Sequence, residues 1–331
     1  MMIFFDGRNI QKSSPFLTKI VTLSAIVRNR RIWYKISDSW QRMEILPMIE
    51  ASAVVNNIVA AYKAIPGVKA IALFGSRARG TETPESDINI MVVESTSPTQ
   101  STRASILAQL SDPALPSWCR DIPISADAFH VDGYLVNIWH MNEDLICERI
   151  ASVVKGRRLE NSVIVAILNE SSILWDPRKQ LEAWKTNVNP IPENYKRAVI
   201  PVLFSEVTHI LESLMNMSKS DSIFFINHEL VAAMTSLFEV VFLMNDHYLI
   251  LNHRLDRELQ RMHLLPDDFL KQIDSILSLD TSFDGLLSRR RRICLLTKHV
   301  GEFIEKNTGY VMKAGWVQLR RAAPFLFEFE E

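Results

Sequence analysis

The sequence predicts an α+β protein: a small mixed sheet with flanking helices, followed by an all-helical bundle. Glycine supply is the first reason. Only 10 of 331 residues are glycine, and none lies between Gly156 and Gly285. A stretch of that length without a residue suited to left-handed turns is best built from long helices. The second reason is the alternation of short β-rich runs with helical stripes ahead of Pro190-Ile191-Pro192, a stiff segment that separates the two patterns.

Residues 1–45 are expected to form a poorly packed N-terminal extension. From Gly7 to Ser37 there is no Asp or Glu, while Arg8, Lys12, Lys19, Arg28, Arg30, Arg31 and Lys35 are basic. Such a composition resembles an organellar leader. It better suits an upstream extension, with Met43 or Met48 opening the folded part.

A first domain then spans 46–189. Ile49, Val54, Ile58, Val59 and Tyr62 form an apolar helical stripe that Pro66-Gly67 ends. Val68–Phe74 and Asp87–Val93 read as strands, and Thr102–Leu110 as a helix. Ile122–Val131 and Tyr134–His140 flank Asp132-Gly133, the dipeptide suited to a type I′ hairpin turn. Helices over Glu143–Val154 and Lys179–Lys185 complete this part. The second domain, 190–331, carries helical patterns at Glu193–Met217, Ile223–Asn245, His253–Leu264, Pro266–Leu277 and Leu286–Asn307.

Composition excludes several function classes. With 37 basic and 38 acidic residues the net charge is −1, which removes bulk electrostatics as a ground for nucleic acid or anionic membrane. Cys119, Cys147 and Cys294 lie far apart with no CxxC pair, against a disulfide framework or a cysteine zinc site and in keeping with a reducing cytoplasm. No apolar run approaches the roughly 18 residues of a membrane span. The longest, around Ser236–Leu251, is interrupted by Glu239, Asn245, Asp246 and His247. A cytoplasmic protein with neither membrane nor nucleic-acid partner is expected.

The informative stretch is Leu73-Phe74-Gly75-Ser76-Arg77-Ala78-Arg79-Gly80, followed by Ser86-Asp87-Ile88-Asn89-Ile90. A strand runs into Gly-Ser, and a helix is expected to begin near Ser76. Leading backbone N–H groups at such a start attract anions, and Gly75 admits a phosphate close to the backbone. Ser76 adds a hydroxyl, and Arg77 and Arg79 add charge-assisted donors. The next strand, with its period of two, puts Asp87 and Asn89 on one face.

This stretch resembles the signature of the nucleotidyltransferase superfamily: an apolar strand, G-S-x-x-R-G, a spacer, then S-D-x-D on the next strand. The layout also resembles the aminoglycoside-nucleotidyltransferase-like branch with its helical C-terminal domain, as does Leu243-Met244-Asn245-x-x-Tyr248. The resemblance implies transfer of a nucleoside monophosphate from a nucleoside triphosphate to a hydroxyl of a small acceptor, with two divalent cations, usually Mg2+. It implies phosphate binding by Gly75, Ser76, Arg77, Arg79 and Ser86. It also implies three metal carboxylates, two from S-D-x-D and one on a later strand.

The chain departs from that pattern twice. Asn89 holds the second position, and Asn137, within Leu135-Val136-Asn137-Ile138-Trp139, is expected at the third; only Asp87 keeps its charge. An amide keeps the shape but neither the charge nor the basicity. Magnesium prefers carboxylate anchors and sheds water reluctantly, so a weakened transferase or a non-catalytic binder or interaction protein follows. Asp127 is expected on the opposite face, since Ala128 pairs with Asn137 across the hairpin, and Asp132 belongs to the turn. Glu82 and Glu85 lie in the loop before the strand. The resemblance implies an acid brought to the acceptor by the helical domain, for which Glu239, in an apolar helix, is the candidate, with Glu206 and His209 as lesser ones. A structural ion pair or placement on a cleft wall explains Glu239 equally well. Arg289 to Arg292 fan around a helix and are expected to pair with acids on neighbouring helices.

Overall fold

The computed structural model describes residues 33–36, 39–42, 50–113, 115–120, 125–159, 162–250, 255–310 and 312–324. The expectation of weak packing over residues 1–45 lies largely outside them. The chain divides into two compact units, Met1–Ala53 and Val54–Glu331. In the first, strands β1 (Trp33–Ile36) and β2 (Ser39–Arg42) pair antiparallel.

The second unit contains a six-stranded sheet and a continuous set of helices. Helix α1 (Ala51–Lys63) leads into β3 (Val68–Phe74) and β4 (Ile88–Glu94). Helix α2 (Gln100–Leu110) and strands β5 (Trp118–Arg120), β6 (Ala126–Val131) and β7 (Tyr134–Asn142) follow. Sheet order is β5-β6-β7-β4-β3-β8, with β8 at Ser172–Trp175. Only β4 and β7 pair in parallel; the other neighbours are antiparallel.

The hairpin forms as the dipeptide requires. Asp132 (φ 50°) and Gly133 (φ 83°) both take positive φ, the type I′ signature, and Val131 faces Tyr134. Register then follows outward to Ala128 opposite Asn137. Helix α3 (Glu143–Val154) starts where Asn142 accepts hydrogen bonds from the N–H groups of Asp144 and Leu145, with Glu143 and Asp144 complementing the positive helix end.

Helices α4 (Val163–Glu170) and α5 (Gln180–Val188) precede the helical part, with α6 (Glu193–Ser213), α7 (Ile223–Met244), α8 (Leu255–Leu259), α9 (Phe269–Leu277), α10 (Phe283–Thr308) and α11 (Lys313–Ala322). Neither α4, β8 nor α11 was expected. The run Val163-Ile164-Val165-Ala166-Ile167-Leu168 is apolar all round, so it carries no periodicity, and five of these six side chains are buried. Helix α7 also corrects the membrane reading. By length and composition it is apolar enough to cross a bilayer, yet Ile226, Leu230, Leu237, Val240 and Val241 are buried in the protein.

One core joins sheet and helices. Ala70, Ala72, Phe74, Met91, Val93 and Met141 project from one sheet face into it, meeting Ile146, Leu168, Leu203, Leu237 and Val300 among others. The arginine run serves this packing differently from the acid pairing expected. Arg290, 5% exposed, donates to the carbonyls of Leu211 and Ala322, in the last turns of α6 and α11. Arg289 binds Leu279 O and Asn227 Oδ1, and Arg292 binds Ser275 O. Cations at helix C-terminal carbonyls satisfy orphan acceptors and oppose the negative dipole end.

The other sheet face buries a charged cluster beneath α1 and α2. Arg103 Nη1 lies 3.1 Å from Asp127 Oδ1, and His140 bridges Asp127 (Nε2, 2.8 Å) and Glu94 (Nδ1, 2.6 Å). Tyr62 donates to Asp127 at 3.4 Å. All four charged side chains are at most 1% exposed. A protonated His140 makes the cluster neutral: two cations against two carboxylates. Burial alone would lower the imidazole from its ordinary 6.5, but the hydrogen bonds to Asp127 and Glu94 outweigh it and raise it.

A group raised on folding stabilises fully below its unfolded value, and that contribution fades as pH climbs through the folded one. The stability gap between the parent and His140→Gln, measured by urea unfolding, should be widest below the ordinary imidazole value of 6.5 and narrow as pH rises above it. A gap independent of pH would reject the protonated imidazole.

Candidate functional site

The cleft lies on the sheet face that the helices cover, where one cross-strand row ends. Register aligns Phe74 with Asn89, Asn89 with Asn137, and Asn137 with Ala128. Because side chains alternate, Asp87 and Asn89 share this face while Asp127, opposite Ile138, points into the buried cluster. A cavity of about 220 Å³ opens here, lined by Phe74, Gly75, Ser76, Arg79, Asp87, Asn89, Trp139, Val163, Ile167, Glu170 and Ile250. The Gly-Ser turn and the Asp87 row therefore meet in one space.

Residues 76–80 form a turn rather than the expected helix. It is wound by Arg79 N–H to Gly75 O (3.2 Å), Gly80 N–H to Arg77 O (3.4 Å) and Thr81 N–H to Ser76 O (2.9 Å). As in a first helical turn, the leading N–H groups take no part in that ladder. Gly75 has φ 78°, and a Cβ there would stand 3.0 Å from Asn89 Nδ2. Glycine is required twice over, by backbone conformation and by the close approach of Asn89.

The phosphate-side residues divide. Gly75, Ser76 and Arg79 line the cleft; Arg77 and Ser86 are not among its lining. Arg77 donates through Nη2 to Ser86 O (2.7 Å) and through Nε to Asp87 O (3.1 Å), and lies over the Tyr134 ring at 5.1 Å. Its role is to hold the 81–87 loop so that Asp87 enters the row. Ser86 Oγ closes the same loop by accepting from Thr83 N–H at 2.8 Å. Arg79 is engaged by Glu170 at 2.7 Å and lies 3.6 Å from Glu258.

At the three positions where the motif leads one to expect metal carboxylates, Asn137 Nδ2 donates to Asp87 Oδ2 at 2.9 Å and to Asn89 Oδ1 at 3.2 Å. The amide thus uses both N–H bonds to tie together two oxygens on neighbouring positions of the row. One carboxylate with two amides, one of which aims its donors inward, does not fit a two-magnesium site, which is built from anionic oxygen ligands. No group of three or more His, Cys, Asp or Glu able to hold a metal occurs among the described residues.

The other acids that the sequence singled out do not line the cleft. Glu82 and Glu85 are exposed and outside the cleft lining, and Asp132 sits in its turn. Glu239 is also outside the lining. It lies 3.9 Å from Arg158, which binds Glu206 too. Burial pushes the Glu239 carboxyl above its ordinary value, Arg158 pulls the other way and Glu206 adds to the rise. In the 243–248 segment, Asn245 clamps the chain by binding Val241 O, Leu264 O and the N–H groups of His263 and Leu264, and Tyr248 is buried.

Sequence reasoning missed Glu170, which faces the cleft from the end of α4. Its only signal was the polar pair Asn169-Glu170 closing an apolar run. Trp139, two residues beyond Asn137 on the same strand face, contributes the aromatic wall and packs edge-on to Phe74 at 5.4 Å.

The antiparallel β3–β4 pair with its Gly-Ser turn, the parallel β7 and the helical half define a class. Residues 56–122 match the family model described as polymerase beta, nucleotidyltransferase, and the six-stranded sheet with its flanking and C-terminal helices fits that α+β fold. Among solved structures, a nucleotidyltransferase-like protein from Exiguobacterium sibiricum 255-15 aligns at 13% identity, covering 85% of this chain and 90% of its own, with a TM-score of 0.38. Spectinomycin adenyltransferase AAD(9) from Enterococcus faecialis, solved with ATP and spectinomycin, aligns at 14% identity over 82% of this chain and 97% of its own, with a TM-score of 0.28. No curated relative matches the sequence.

Alanine at a left-handed position costs about 1–2 kcal/mol. Gly80→Ala, with open space around its Cβ, should show that penalty alone in denaturant unfolding, whereas Gly75→Ala should cost more because Asn89 must also move. Equal losses in the two variants would mean that Gly75 answers only to backbone conformation.

Proposed function

We propose that this protein binds a nucleotide or related small molecule in the Asp87 cleft without efficient transfer of a nucleoside monophosphate. The observation that carries this reading is the Asn137 amide nitrogen placed between Asp87 Oδ2 and Asn89 Oδ1. In the enzymatic alternative implied by the motif, a nucleoside triphosphate would meet Gly75, Ser76 and Arg79. A hydroxylated small molecule would be the acceptor, and Mg2+ would join the phosphates to the carboxylates. That scheme asks the metal positions for negative charge and basicity. Asp87 alone supplies them.

The geometry of the remainder supports binding. The Gly75–Arg79 turn offers polar backbone, Asp87, Asn89 and Ser76 offer hydrogen-bonding groups, and Phe74, Trp139, Val163 and Ile167 provide an apolar wall. Concave sites of this composition, mostly apolar with a few convergent polar groups, are typical of small-molecule recognition.

Losing charge at two metal positions is expected to add several kcal/mol to the transfer barrier, about tenfold in rate for each 1.36 kcal/mol. With ATP or GTP and a panel of hydroxylated acceptors, Asn89→Asp/Asn137→Asp should release pyrophosphate at least ~10³-fold faster than the parent. Efficient turnover by the parent would overturn the binding reading. Calorimetric titration with ATP and adenosine tests the binding itself.

A further inference from the structure

The amide bridge and the charges around it together specify what kind of ligand the cleft receives. Three carboxylates converging on one point repel, and dications hold such a set together while neutralising it. Here cohesion comes from the two N–H bonds of Asn137, to Asp87 and to Asn89. The opposite end of the Asn89 side chain, its Nδ2, occupies the space that a Cβ at position 75 would press on. Asp87 Oδ2 and Asn89 Oδ1, two of the oxygens on this row, both accept from that one amide.

Charge balance points the same way. The formally charged lining residues are Asp87, Glu170 and Arg79, so the wall carries one net negative charge. Its single guanidinium lies against Glu170, with Glu258 beyond. Arg77 is turned to the carbonyls of Ser86 and Asp87 and to the Tyr134 ring. A polyphosphate entering without a metal would meet more negative charge than positive. A ring system, by contrast, would find Trp139, Phe74, Val163 and Ile167, with Ser76 and Asn89 as polar neighbours.

We propose that the cleft is a divalent-cation-independent site in which the Asn137 side chain stands in for the bridging cation, and that it takes the neutral nucleoside portion of a ligand in preference to its polyphosphate. This rests on the nucleotide-binding reading above.

The full-length chain is titrated with Mn2+ alone, followed by electron paramagnetic resonance, and by calorimetry with adenosine and with ATP in the presence of a chelator or of Mg2+. The parent should show no saturable Mn2+ binding. Asn89→Asp/Asn137→Asp should gain it, and adding Asp87→Asn should remove it again. Asn137→Asp alone serves where the double variant does not fold, as judged by circular dichroism. In chelator, adenosine should bind the parent at least tenfold more tightly than ATP, and Mg2+ should leave the adenosine affinity unchanged. Saturable Mn2+ binding by the parent that Asp87→Asn abolishes would overturn cation independence. ATP binding more tightly than adenosine in chelator would overturn the ligand preference. If neither binds under either condition, the nucleotide reading and the ligand preference both fall, while the Mn2+ titration still decides cation independence.

Discussion

The pairing of β4 with β7 governs both sides of this molecule. Their parallel register sets Asn89 beside Asn137 and Val92 beside His140. The first pair builds the cleft, and the second brings His140 within reach of Glu94 on the reverse face. Because strand side chains alternate, a slip of one residue would send Asn137 into the buried charge cluster and His140 into the cleft. The register is held by apolar neighbours on both faces, Ile88, Ile90 and Val92 on one and Met91 and Val93 on the other, all fully buried. Site geometry and core packing are thus one constraint.

The two faces resolve the same electrostatic problem in different ways. Beneath α1 and α2, Arg103, Asp127, His140 and Glu94 are buried together and joined by close ion-pair and hydrogen-bond contacts. At the cleft, one carboxylate stands beside two amides, and a hydrogen-bond bridge supplies the cohesion. Buried ion pairs require close geometry to offset desolvation. A half-open cleft lined by an apolar wall gives no comparable enclosure, so a neutral bridge is the less demanding solution there.

Much of this arrangement could be read from residue order. Asp132-Gly133 announced its turn, and counting outward from it placed Ala128 against Asn137 and turned Asp127 away. Gly75 and the S-D-x-N row announced the cleft. What local pattern could not supply were interactions between distant segments. Arg77 looks like a phosphate ligand until the 81–87 loop is seen folded onto it. Glu170 reaches the cleft only because β8 returns beside β3 and carries α4 with it. The arginine run meets helix ends whose proximity depends on the whole bundle. Helix α4 hid because a segment buried all round has no period to detect.

The charge cluster on the reverse face has a consequence for how this protein can diversify. Removing one member of a buried, mutually neutralising set strands its partner without solvent. Single replacements at Arg103, Asp127, Glu94 or His140 therefore cost stability that a second, compensating change would restore. At the cleft, an isosteric exchange between carboxylate and amide alters the chemistry while leaving the strand pairing in place. The scaffold is thus locked behind the sheet and permissive in front of it, so new ligand specificities are accessible by single steps from the front alone.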